Sequence, residues 1–107
     1  MRAGSFFKNP IVERAVAEQL LKEYPDMPHY PVAGDDAKVK LAAGWLIDKS
    51  GLKGYRDGCV GVHDRQALVL VNHGGATGKD VMRLAGYVCQ SVKEHFGVEI
   101  SPEVNIL

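Results

Sequence analysis

Cys59-Val60-Gly61-Val62-His63 and Ala67-Leu68-Val69-Leu70-Val71-Asn72 are two β-rich runs separated only by Asp64-Arg65-Gln66, and this spacing decides the fold class. Three residues suffice to turn a hairpin, whereas a parallel crossover needs a dozen or more. Antiparallel pairing is therefore predicted. A helix follows the hairpin. Thr77-Gly78-Lys79-Asp80 reads as a capping box with Asp in place of Glu. Val81, Leu84, Ala85, Val88, Cys89, Val92 and Phe96 then hold helical spacing up to a terminating Gly97. Beyond it, Val98 to Ser101 predict a final short strand before Pro102 and Glu103.

Upstream, Gly54 and Gly58 bracket a turn-rich connection, and Ala42 to Lys49 predict a short helix capped at Gly51, with Trp45, Leu46 and Leu41 toward the core. Pro25, Pro28 and Pro31 punctuate an irregular stretch running through Gly34-Asp35-Asp36. Asn9-Pro10 reads as the start of the first helix, with Asn9 as N-cap and Pro10 at the first helical position. Its apolar stripe is Ile11, Val12, Ala15, Val16, Leu20, Leu21 and Tyr24, and Pro25 stops it. Gly4 to Lys8 precede it as a strand or an extended arm. The order helix, helix, hairpin, helix, strand has no βαβ rhythm. It predicts an α+β fold: a small single domain whose mainly antiparallel sheet is packed by about three helices.

The 107 residues fit one domain, and 46% apolar with 24% charged residues argues against disorder. No apolar run approaches the roughly 18 residues of a membrane span, so no membrane insertion is expected. Thirteen basic residues balance thirteen acidic ones. A nucleic-acid partner, which draws its affinity from a basic excess, is not expected either. The N-terminus meets charge and Pro10 too soon for a signal peptide. Cys59 and Cys89 form no CxxC pair, which predicts a reduced, cytoplasmic protein with two small buried thiols. A domain this short buries only about 60–70% of the surface its unfolded chain exposes. That size suits a binding lobe better than a cofactor pocket with a substrate site beside it.

Several motifs fail on inspection. Asn72-His73-Gly74-Gly75-Ala76-Thr77-Gly78-Lys79-Asp80 has the strand–loop–helix look of a phosphate-binding loop. His73 stands at its first glycine position, however, and Asp80 follows the lysine where Ser or Thr should hold magnesium. A carboxylate there repels phosphate, so a plain loop and cap is the better reading. His29, His63, His73 and His95 show no ligand spacing, and no metal site is expected. Ser5 lacks the second glycine of a GxSxG elbow.

What is left is a set of specific strings: Gly4-Ser5-Phe6-Phe7-Lys8-Asn9-Pro10, Tyr30-Pro31, Lys40-Leu41-Ala42-Ala43-Gly44-Trp45-Leu46-Ile47-Asp48, Leu52-Lys53-Gly54, Gln66-Ala67-Leu68-Val69-Leu70-Val71-Asn72 and Pro102-Glu103-Val104. In this order they resemble the C-terminal, substrate-binding domain of the UDP-N-acetylenolpyruvoylglucosamine reductases, peptidoglycan-pathway flavoenzymes also called UDP-N-acetylmuramate dehydrogenases. The resemblance covers residues 1–107, and Tyr30-Pro31 looks like the longer of the family's two subtypes. It implies that hydride passes from NADPH to FAD and then to the enolpyruvyl double bond of UDP-N-acetylglucosamine enolpyruvate, giving UDP-N-acetylmuramate. Nothing in the chain resembles the family's FAD-binding region. The chain is therefore expected to be a fragment that holds no cofactor of its own, binds the UDP-sugar weakly and oxidises no NADPH alone.

By this resemblance Ser5 is the proton donor. A serine hydroxyl is a poor acid, so nearby charge and hydrogen bonds must favour its transient loss of a proton. Glu103 matches the acidic residue at the reacting double bond, which requires the two chain ends to converge. From spacing alone, an ordinary exposed Ser and Glu would be the better reading. The substrate-binding set is Asn9, Tyr30, Lys53 and Gln66. Lys53 is a point charge for diphosphate oxygens on a Gly-bounded turn. Tyr30 offers a rigid ring and a hydroxyl, while Asn9 and Gln66 offer paired donors and acceptors for sugar or uracil. Asn9 reads equally well as a helix cap, and Gln66 also as a turn residue; Lys8 and Lys40 read as solvated surface. The family's ending often reads Pro-Glu-Val-Arg, and Asn105 stands here in place of that arginine. Two other classes stay open: a stand-alone nucleotide-sugar binding module, and an interaction domain with Phe6-Phe7 as a sticky edge.

Overall fold

The computed structural model describes residues 6–103. In chain order its elements are β1 (Ile11–Glu13), α1 (Arg14–Glu23), β2 (His29–Val32), β3 (Asp35–Leu41), α2 (Ala43–Lys49), β4 (Arg56–Asp57), β5 (Val60–Val62), β6 (Leu70–Asn72) and α3 (Gly78–Phe96). The strands form two antiparallel sheets of three, in the orders β1-β3-β2 and β4-β5-β6. The α+β class and the three helices are as expected, but the sheet is divided in two.

Asn9 and Pro10 do not open a helix. Ile11 and Val12 are β-branched and pair with β3 at Lys40 and Val39, while the Pro10 carbonyl accepts from Leu41 N–H at 2.9 Å. Proline needs no donor at a strand edge, so the chain extends here and the helix starts four residues later. The buried phase shifts with it: Ala17 and Leu20 are buried, and Ala15 and Val16 are exposed. The proline-rich stretch is irregular only as far as Pro28. β2 and β3 form a hairpin turned at Gly34, whose φ of 78° favours glycine. Pro31 is tolerated because β2 lies at the sheet edge.

The decisive hairpin pairs Val60 with Asn72, Gly61 with Val71 and Val62 with Leu70. Ala67 to Val69 belong to its turn, and β4 adds an edge strand where the sequence predicts only a turn. α3 has the predicted capping box: Thr77 Oγ1 accepts from Asp80 N–H, the Asp80 carboxylate accepts from Thr77 N–H, and Gly97 ends the helix at φ 70°. Leu84, Ala85, Val88 and Val92 of α3 are buried in one core with Leu41, Leu46, Ile47, Val60 and Phe7. The sticky-edge reading fails at Phe7, which is 2% exposed. Val98 to Ser101 form no strand. Val98 and Ile100 are buried, and among the described residues this segment pairs at an isolated antiparallel bridge between Phe7 and Pro102. The two thiols are unequal: Cys59 is exposed, contrary to expectation, while burial pushes the half-buried Cys89 thiol up. Among the described residues no helix is long and apolar enough to cross a membrane.

Candidate functional site

The two described ends of the chain meet. Phe6 N–H donates to the Leu68 carbonyl at 2.7 Å, Glu103 N–H donates to the Phe6 carbonyl at 2.6 Å, and Lys8 N–H donates to the Ser101 carbonyl at 3.1 Å. Phe6 thus lies between the β5–β6 turn and the C-terminal segment, with the exposed Glu103 beside it. Phe7 beneath is buried and meets the Phe6 ring edge-on at 5.4 Å. Ser5 and Asn105 lie outside the described residues.

Asn9 follows on the same segment, and its Oδ1 accepts from Ala43 N–H at 3.0 Å. Ala42, at the N-cap position of α2, has no side chain to satisfy that helix end. Asn9 supplies the missing acceptor from 34 residues away. It is a cap after all, but of the second helix. The next residue, Gly44, lies against the turn that bonds Phe6: a Cβ there would sit 3.3 Å from Leu68 Cγ.

Lys53 follows α2 and pairs with Asp48 at 3.6 Å across a half-exposed surface. Gly54, at φ 81°, lies against Asp64, where a Cβ would come within 3.6 Å of Asp64 Cβ. This brings the Lys53 turn beside the turn of the exposed Gln66. Gln66 N–H donates to His63 Nδ1 at 3.2 Å, and its carbonyl accepts from Val69 N–H at 2.9 Å. Asn9, Lys53 and Glu103 thereby lie on segments that reach the Gln66 turn, through Gly44 at Leu68, through Gly54 at Asp64 and through Phe6 at Leu68.

Tyr30 belongs to a different surface. It stands on β2 opposite Lys40 of β3, 47% exposed. With Arg14, His29, Lys38 and Asp36 it lines a shallow open depression of about 180 Å³. Lys8 is exposed as expected, whereas Lys40 is half-buried.

The Gly-rich loop before α3 does not form an anion cradle. Asn72 Oδ1 accepts from Gly74 and Ala76 N–H at 2.8 and 3.3 Å, and the capping box occupies Thr77 and Asp80 N–H. The Asp80 carboxyl is held below its ordinary range by the Thr77 backbone N–H first, then by the Thr77 hydroxyl and Arg83. It stays charged where a phosphate would have to sit. Among the described residues no three His, Cys, Asp or Glu side chains could hold a metal ion together.

The family model of the UDP-N-acetylenolpyruvoylglucosamine reductase C-terminal domain matches residues 1–107. The chain belongs to this reductase family. It is 66% identical over 105 residues to the UDP-N-acetylenolpyruvoylglucosamine reductase of Chromobacterium violaceum, covering 98% of this chain and 30% of that protein. The Pseudomonas aeruginosa reductase is 60% identical over 104 residues, covering 97% of this chain and 30% of the relative. That of Pasteurella multocida is 52% identical over 105 residues, with 98% and 30% covered. The chain thus spans about a third or less of the length of the reductases it matches.

Several supports of this candidate site escape a reading of the sequence. Asp48 stands out there only as part of a string, although a carboxylate five residues before Lys53, at the end of a helix, is a legible pairing signal. Gly44 in Ala42-Ala43-Gly44 signals close packing at a helix start, but only the fold shows that Leu68 is what it meets. His63 under the Gln66 turn has no signal beyond its position at the start of the loop.

Proposed function

We propose that this chain is the substrate-binding and proton-donating lobe of a reductase that uses FAD and NADPH to convert UDP-N-acetylglucosamine enolpyruvate to UDP-N-acetylmuramate, in the cytoplasm and for peptidoglycan synthesis. The observation that supports it most is the bond from Glu103 N–H to the Phe6 carbonyl. It holds Glu103 beside the residue that follows Ser5 in the chain, as a shared reaction centre requires.

In this reading Ser5 delivers a proton to the enolpyruvyl carbon beside the carboxylate, and Glu103 assists that transfer or polarises the carboxylate. Lys53 meets diphosphate oxygens in exchange for its exposed pairing with Asp48, and Asn9 and Gln66 bind sugar or uracil groups. The Asn9 side chain serves α2 through Oδ1, which leaves its carboxamide nitrogen as the donor for a ligand. Tyr30 would contact the nucleotide from the β2–β3 hairpin. A UDP-sugar must then extend from the Phe6 end toward that hairpin.

In this reading the described residues hold no dinucleotide cofactor. The one Gly-rich loop leading into a helix among them is closed by Asn72 and guarded by Asp80. FAD and NADPH, and the hydride chemistry they supply, are therefore assigned to the part of the reductases that this chain does not span.

Ser5→Ala, placed in a full-length reductase carrying this segment, is the test. It is expected to lower turnover by orders of magnitude with little change in UDP-sugar binding; equal losses in both would overturn the assignment of Ser5 as acid. Titration of this chain with UDP-N-acetylmuramic acid, followed by nitrogen–proton NMR, should shift amides around Asn9, Lys53, Gln66 and Glu103.

A further inference from the structure

His63 starts the turn that carries Gln66, and its imidazole Nδ1 accepts from Arg65 N–H at 3.0 Å and Gln66 N–H at 3.2 Å. A ring nitrogen accepts only while it bears no proton, so this geometry requires the neutral tautomer with hydrogen on Nε2. The same Nδ1 lies 3.5 Å from Asp64 Oδ1. A protonated ring would have a carboxylate at hand and would lose both amides at once. We propose that His63 is the positioning residue of the Gln66 turn, which its neutral ring fixes and its protonation toward Asp64 releases. This inference rests on the place given to Gln66 in the UDP-sugar site.

The foot of the turn does not depend on the ring. His63 N–H donates to the Val69 carbonyl and Val69 N–H to the Gln66 carbonyl, both at 2.9 Å, and Ala67 is buried. What the ring controls is the direction of the 65–66 backbone and, through it, of the exposed Gln66 side chain. Asp64 and Arg65 are the charged groups on the turn itself. The α2–β4 connection, packed on Asp64 through Gly54, contributes Lys53 with its partner Asp48. The terminal segments reach the turn through Phe6 and bring Glu103.

Nitrogen–proton NMR of the full chain, titrated from about pH 8 to about pH 5 where histidines ordinarily change charge, reads the device directly. The His63 ring should show the Nε2–H tautomer at the upper end, and the Arg65 and Gln66 amides should move along its titration curve. His63→Asn keeps an acceptor, as Asn72 does for Gly74 and Ala76. It should preserve the turn and flatten the pH response of both amides. An Nδ1–H tautomer, or Arg65 and Gln66 amides that stay still while the ring titrates, would overturn the proposal. In a full-length reductase carrying this segment, His63→Leu should raise the KM for the UDP-sugar about fivefold, the value of one lost hydrogen bond, with His63→Asn recovering most of it. If the titration holds but Gln66→Ala leaves KM unchanged, Gln66 is not a ligand and the substrate-positioning role of His63 falls. Ser5 as acid is tested separately by its own variant.

Discussion

A carboxylate that accepts a backbone N–H is worth more to the fold charged than neutral, and Asp80 shows in which direction pH then acts. Its Oδ2 accepts from Thr77 N–H at 2.9 Å, and its Oδ1 lies 3.4 Å from Arg83, which also reaches Asp57 of β4 at 3.2 Å. The Thr77 N–H holds the carboxyl below its usual 3.8, with the Thr77 hydroxyl and Arg83 acting the same way. A folded-state value below the unfolded one makes the stabilisation complete above the unfolded value, and it is lost as pH falls through the folded one. Thermal unfolding should therefore show a falling midpoint below about pH 4. Asp80→Asn should remove part of that slope while lowering the midpoint at neutral pH. An identical slope in both proteins would show that the cap carries no charge linkage.

At the scale of elements, two supports matter most, a helix cap supplied from 34 residues away and a close approach of neighbouring strands. Asn9→Ala should cost α2 about 1 kcal/mol in urea unfolding, with Asn9→Asp close to wild type because it keeps the acceptor. Ligand binding should fall in both if the carboxamide nitrogen also meets substrate, which separates the two roles of this side chain. Gly61 has a tighter constraint: a Cβ would sit 2.9 Å from the Tyr55 carbonyl and 3.2 Å from His73 Nε2. The carbonyl belongs to backbone beside β4 and cannot swing away, so Gly61→Ala should destabilise by roughly 1–3 kcal/mol. A Gly61→Ala protein that unfolds at the wild-type urea concentration would refute that close approach. These contacts also show what the sequence could and could not reveal. α3 is legible throughout, because its capping box, apolar stripe and terminal glycine are all local signals. The β5–β6 hairpin is legible as a pair of runs, although its turn takes more residues than expected. Asn9 misleads because Asn-Pro followed by apolar residues is a good local helix start, and only pairing with β3 makes Ile11 and Val12 extended. The β2–β3 hairpin is hidden because prolines normally mark irregular chain, and an edge strand is the setting that admits them. The polar residues of the site are legible only through their surrounding strings, since nothing local distinguishes Lys53 or Gln66 from surface.

For the whole molecule, the decisive feature is that the segment carrying Asn9 and the segment carrying Glu103 are anchored in one core, by Phe7 on the first and by Val98 and Ile100 on the second. Lys8 and Glu103 N–H bond across the two segments, but both bonds lie at the surface, where water competes for them. Phe7, 2% exposed and packed in the core that α2, α3 and β5 share, anchors the first segment at its bridge to Pro102. Phe7→Ala should then cost about 3–5 kcal/mol, a large share of the roughly 5–15 kcal/mol typical of a domain, whereas Phe7→Leu should cost less than about half of that. Hydrogen exchange at neutral pH separates a local role from a global one. In Phe7→Leu, the Lys8 and Glu103 amides should lose protection more than the Val88 amide inside α3, because the terminal bridge depends on the ring more directly than the helix does. Equal loss at all three would mean that the ends open only when the whole domain unfolds. Phe7 would then support the candidate site solely through global stability.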